Sequence, residues 1–228
     1  MILDYGSFAS ASTAIHALQG LSLLGLGAAE AYAVDNPGRR APVAAALLMI
    51  ACAAASVLAI FAMPGGWSLD QLSVALNVRR GFYLFIAFSC LYCSAGLSRL
   101  TQEALGRAGG AWRNMSLLFI SCAAGLYFLL PWRVNESVWR ETLALHAAIG
   151  VTLLLAVVSA AAYIMTGRRR LRIAWAVLLL AAGLQLVTYR ETPAAYEMRL
   201  VTIQSENQGA APAAAKNATH PHKERTRR

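Results

Sequence analysis

The sequence predicts an all-α fold, a polytopic membrane helical bundle with six transmembrane helices, on three observations. Of 228 residues, 58% are hydrophobic and 14% charged, the balance of a chain solvated by lipid rather than by water. Six apolar runs reach roughly the 20 residues that a helix needs to cross a hydrocarbon core of about 30 Å. The arginines are denser in every second connecting loop than in the others.

The runs cover about 13–34, 42–63, 82–98, 115–131, 142–166 and 172–189. The third, "GFYLFIAFSCLYCSAGL", is barely long enough, and Gln185 interrupts the sixth near its end. The first closes on "LSLLGLGAAEAYA", whose Ala31-x-Ala33 is acceptable to a signal peptidase. Its leading "MILDYGSF" carries Asp4 and no basic residue, so this span is expected to stay in the protein. The joins "DNPGRRAP" and "TGRRRLR" are short, as between antiparallel neighbours. In "PGGWSLDQLSVALNVRRG", Trp67, Leu69, Leu72, Val74 and Leu76 alternate with polar residues, which predicts a short helix lying on the membrane surface. Trp132 and Trp139 in "PWRVNESVWR" are of the type that settles at the interface. Residues 1–204 thus form the membrane domain, and 205–228 read as a disordered basic tail too poor in apolar residues to fold.

The net charge of +9 is accounted for by topology and by that tail, leaving no role for nucleic acid. Nine arginines follow spans one, three and five: Arg39 and Arg40; Arg99, Arg107 and Arg113; Arg168, Arg169, Arg170 and Arg172. Six lie close to the membrane on the other side: Arg79, Arg80, Arg133, Arg140, Arg190 and Arg199. The positive-inside rule then makes the odd loops cytoplasmic and puts both termini outside, in a multi-pass protein of a bacterial-type inner membrane.

One stretch recurs. "AIHALQGLSLL" at 14–24 returns as "ALHAAIGVTLL" at 144–154, identical at six of eleven positions. Each copy sets a histidine, His16 or His146, about one turn inside the outer end of its helix, so the two share one depth. Gly20 and Gly150 follow four residues later on the same face and leave a gap that suits either a flat macrocycle or a closely packed helix. Ionisable groups inside a membrane are functional candidates by default. The expectation is one b-type haem gripped by His16 and His146 between spans one and five. Against it stands a cross-helix hydrogen bond worth about 1 kcal/mol, with the glycines merely admitting a neighbouring helix. A copper site of His16, His146 and Met63 is a further alternative, since imidazole and thioether both suit copper.

"IHALQGLSLLGLG" and "LHAAIGVTLLLAVV" resemble the ligand helices of membrane-bound b-type cytochromes and the histidine-bearing helices of copper-resistance D (CopD) type membrane proteins. The resemblance covers spans one and five. It implies a bundle engaged in electron or metal traffic, with one haem at most because only two histidines lie within spans, and with quinone or a redox partner subunit as its exchange partner. The CopD pattern of a following tryptophan and paired glycines is absent after both His16 and His146.

Cys90 and Cys93 form a C-x-x-C that a thiol oxidase would carry at a wet membrane edge; here it falls mid-span, and with Cys52 and Cys122 it reads as small apolar filler. Glu30 is expected either to relay protons or to pair with Arg39 or Arg40 at the interface. Arg190, Glu191 and Glu197 lie on the histidines' side as solvated charges or partner contacts. Nucleotide-binding and hydrolase motifs are missing, so the alternatives to an electron-transfer protein are a copper or small-solute membrane transport protein and a non-catalytic structural subunit.

Overall fold

The computed structural model describes residues 5–36, 38, 40–62, 67–70, 72–73, 82–129 and 139–191. Among them are six long helices and no strand: α1 Tyr5–Tyr32, α2 Arg40–Ala62, α3 Phe82–Leu105, α4 Gly110–Leu129, α5 Trp139–Thr166 and α6 Arg169–Thr188. A 3-10 turn at Gly106–Gly109 joins α3 to α4, and Gly167, at φ +67°, caps α5 by donating its N–H to the Tyr163 carbonyl. Leu69–Asp70 and Leu72–Ser73 are helical, and Trp67 and Leu69 are exposed, in the segment expected to lie on the membrane surface.

Four helices, α2, α3, α5 and α6, are long and apolar enough to cross a membrane. α1 and α4 are comparably long, but α1 contains His16, Gln19 and Glu30 and α4 begins with Arg113 and Asn114. α3 continues to Leu105, seven residues beyond the expected end of the third span, because "SRLTQEAL" carries good helix formers and no breaker before Gly106. The expected tail and Met63 lie outside the described residues.

Each helix packs against the next in sequence, and α6 closes back on α1, so the six form a ring in which α1 and α5 are not neighbours. Leu23, Leu26, Met49, Phe88, Tyr127, Leu153, Leu179 and Leu186 fill the interior. Leu47, Leu58, Leu118, Val158 and Leu184 point outward, an apolar surface suited to lipid.

The polar residues of α1 are not on its outside. Ser12, His16, Gln19, Ser22 and Glu30 are all buried, at 5% exposure or less, on the side facing the ring interior. Buried hydroxyls bond back to the carbonyl one turn earlier, Ser22 to Leu18, Ser56 to Cys52 and Ser89 to Phe85, which satisfies them without water. The ring is therefore apolar outside and carries a polar stripe within.

Candidate functional site

His16 and His146 meet in the ring interior. Both rings are at most 2% exposed, and their Nε2 atoms are 3.4 Å apart. Each Nδ1 donates to the carbonyl one turn back in its own helix, His16 to Ser12 at 2.7 Å and His146 to Thr142 at 2.8 Å. A carbonyl can only accept, so Nδ1 carries the hydrogen in both rings, and in the neutral tautomer each Nε2 is a bare acceptor. The ring centroids lie 5.5 Å apart, longer than the Nε2 separation by nearly the two ring radii, so the nitrogens point at each other head on. Two imidazole nitrogens facing at this range can share a proton or, with a small separation, hold a metal ion between them.

Aromatic rings surround the pair. Tyr189 sits 4.7 Å from His16 and 5.0 Å from His146, Phe85 6.2 Å from His16, and Tyr127 6.1 Å from His146, centroid to centroid. Below the histidines, the Tyr127 hydroxyl donates to Gln19 Oε1 at 2.7 Å and lies 3.4 Å from the Tyr92 hydroxyl. Above them, Ser12 Oγ is 3.4 Å from His16 Nδ1 and donates to Glu191 Oε2 at 3.2 Å. Tyr189 donates to the other oxygen of Glu191 at 3.0 Å, and the Glu191 N–H donates to Thr13 Oγ1 at 3.2 Å. The chain just beyond α6 thus folds over the N-terminal end of α1, so Glu191 belongs to the site rather than to solvent, while Arg190 is exposed.

The chain matches no protein-family model, no curated protein and no solved structure. The site must be judged on its own chemistry. Haem would require two opposed imidazoles, and the direction of the Nε2 atoms agrees. The room does not: a macrocycle would occupy the plane where Tyr189 packs. Gly20 and Gly150 leave no slot for it either. A Cβ on Gly20 would come within 2.6 Å of the Gly183 carbonyl oxygen on α6, and one on Gly150 within 2.7 Å of the Phe128 ring and 3.0 Å of the Ala124 carbonyl oxygen on α4. Both glycines admit a neighbouring helix, the alternative role open to them in the sequence. A single small ion fits more easily, since it needs the two nitrogens to part by only a few tenths of an ångström.

Among the described residues no three of His, Cys, Asp and Glu converge on one point, and the expected third copper ligand, Met63, lies outside them. The cysteines stay apart from the site as free thiols. Cys52 is buried filler as expected, whereas Cys90 and Cys122 are exposed on the outside of the ring and Cys93 is half-buried, because their positions fall on outward helix faces.

A second polar cluster sits at the opposite end of α1. Glu30 is buried and pairs with Arg99 of α3 and, at 3.4 Å, with Arg172 of α6, which corrects the expected pairing with Arg39 or Arg40. The reason is periodicity: fourteen residues, close to four turns at 3.6 per turn, separate Glu30 from His16, so both face inward. In the sequence Arg99 and Arg172 read as loop charges; the extension of α3 to Leu105 keeps Arg99 on a helix, partly buried beside Glu30. Gln19, three residues after His16, was in principle visible as a second polar group on the buried face. Tyr127 and Tyr189 carried no comparable signal.

Proposed function

We infer that this is a multi-pass protein of a bacterial-type inner membrane that holds one copper ion between His16 and His146, near the outer end of the bundle, and acts in membrane copper handling. In this reading all six helices are spans, the arginine-rich loops are cytoplasmic and both termini lie outside. The observation that carries it is the head-on approach of two buried Nε2 atoms at 3.4 Å in an aromatic-walled interior. Each nitrogen is presented by an Nδ1–H tied to a backbone carbonyl, the outer hydrogen bond that orients metal-binding histidines. Imidazole suits copper, and a two-ligand site of opposed donors suits its monovalent form.

Metal analysis of the full-length protein purified from copper-supplemented cells tests this. About one copper per chain is expected, with loss of the metal in His16→Ala and in His146→Ala. Protein that is metal-free under these conditions, or copper retained by His146→Ala, overturns the reading.

The head-on direction of the nitrogens also favours a second reading, one b-type haem at the same two histidines and electron exchange with quinone or a redox partner subunit. It requires Tyr189 to leave its place beside them. A Soret band after haem-replete expression, abolished in His146→Ala, would establish haem over copper; its absence removes this reading.

A further inference from the structure

The arginine-rich end of the bundle contains a cavity of about 50 Å³, walled by five helices. Glu30 comes from α1, Arg99 from α3, Arg113 and Ser116 from α4, Tyr163 from α5 and Trp175 from α6. Three guanidinium groups gather here, since Arg172 shares Glu30 with Arg99 and lies 5.8 Å over the Tyr163 ring. Two carboxylates answer them: Glu30, and Glu103 at 3.5 Å from Arg99 Nε. The cluster is left with one positive charge, and it resides on Arg113, which has no ion-pair partner among the described residues.

One buried donor is unanswered as well: Arg113 Nε makes no hydrogen bond, whereas Arg99 Nε faces Glu103 at ion-pair range. An unsatisfied buried donor is costly, more so when charged, so one on an unpaired guanidinium beside a cavity points to an acceptor that fills it. At about 10–15 Å³ per water-sized group, the space holds about three to five such groups, the size of a small tetrahedral oxyanion. Guanidinium forks match phosphate and carboxylate oxygens in pairs. The far wall, Leu26, Leu117 and Ile164, is apolar, as an acyl or glycerol moiety would prefer.

We propose that this cavity binds one singly charged phosphate-type oxyanion, with Arg113 as its principal donor. The same chemistry arrives as the phosphodiester of an anionic lipid headgroup or as free inorganic phosphate. Basic pockets between helices on the cytoplasmic side commonly take the former.

The test is thermal unfolding of the full-length protein in detergent, titrated with phosphatidylglycerol, with phosphatidylcholine, or with inorganic phosphate at matched ionic strength. Stabilisation by phosphatidylglycerol but not by phosphatidylcholine or phosphate identifies a lipid headgroup, and stabilisation by phosphate alone identifies the free ion. In either case Arg113→Gln is expected to weaken the response by about tenfold or more. Should Arg113→Gln not fold, Arg113→Lys keeps the charge and loses the fork, and weaker binding is expected there too. No stabilisation by phosphatidylglycerol or phosphate, equal stabilisation by phosphatidylcholine, or unchanged binding in the variant that folds overturns the proposal.

Discussion

The two ends of α1 handle buried polarity in opposite ways. At the N-terminal end, His16 donates its Nδ1–H to a carbonyl of its own helix, that of Ser12. At the C-terminal end, Glu30 is satisfied only by cations from two other helices, Arg99 and Arg172. An imidazole can be oriented locally, four residues along one helix. A buried carboxylate in an apolar bundle must be met by charge from elsewhere, because desolvating it unpaired is prohibitive. The Glu30 end therefore ties α1, α3 and α6 together, and the His16 end leaves two Nε2 atoms facing each other.

This difference predicts the largest effect at the Glu30 end. Glu30→Ala strands two arginines, each less than a quarter exposed, and is expected to cost about 3 kcal/mol or more. Reversible unfolding in mixed detergent measures it. His146→Ala should destabilise less, since it removes a ring without leaving a charge behind. If His146→Ala proves the more damaging of the two, the contrast between the ends is wrong.

The glycines sharpen the comparison at the next level of effect. Gly20 and Gly183 face each other at the α1–α6 crossing, each blocking a Cβ on the other through its carbonyl oxygen, at 2.6 and 2.8 Å. Gly20→Ala is expected to push these helices apart and cost about 1–3 kcal/mol. Gly125, in α4, has nothing within 4 Å of its Cβ position. Gly125→Ala should therefore be neutral or stabilising by up to about 1 kcal/mol from helix propensity alone. Equal behaviour of the two variants would show that the crossing is not close packed.

The same residues show how far the sequence could be read. The apolar runs mark where helices form, because a membrane-spanning helix is written in composition over some twenty residues. The repeat around His16 and His146 exposes the one pair that must share a depth. What the runs do not carry is helix rotation: Glu30 stands near a helix end and looks interfacial until its phase relative to His16 is followed down four turns. Nor do they carry which helices close the ring, and so Tyr189, Arg99 and Arg172 came to the two clusters unannounced. The macrocycle gap suggested by Gly20 and Gly150 failed for the same reason, since a missing side chain does not say what occupies its space.

A smaller effect is expected within the network at the His16 end. Tyr127→Phe deletes the hydroxyl that donates to Gln19 Oε1 and leaves that amide oxygen buried without its donor. The cost should be about 1–2 kcal/mol, and copper content should not change, because Tyr127 bonds Gln19 and not a histidine. Copper lost together with the hydroxyl would instead make Tyr127 part of the ion's environment.

The least effect belongs to the pair that looks most like the Glu30 cluster on paper. Arg169 Nη2 and Asp35 Oδ1 are 2.5 Å apart, an ion pair between the loop after α1 and the start of α6. Both side chains are about two-thirds exposed, 66% and 69%, so water competes for each and salt screens what remains. Arg169→Ala is expected to change stability by less than about 0.5 kcal/mol, against about 3 kcal/mol or more for Glu30→Ala. Distance alone would rank the two pairs together; exposure separates them. Measuring both variants under one set of conditions, with and without added salt, decides whether burial or proximity governs the worth of charge in this bundle. A salt-sensitive loss of several kcal/mol at Arg169 would mean that this loop is far less wet than its exposure implies.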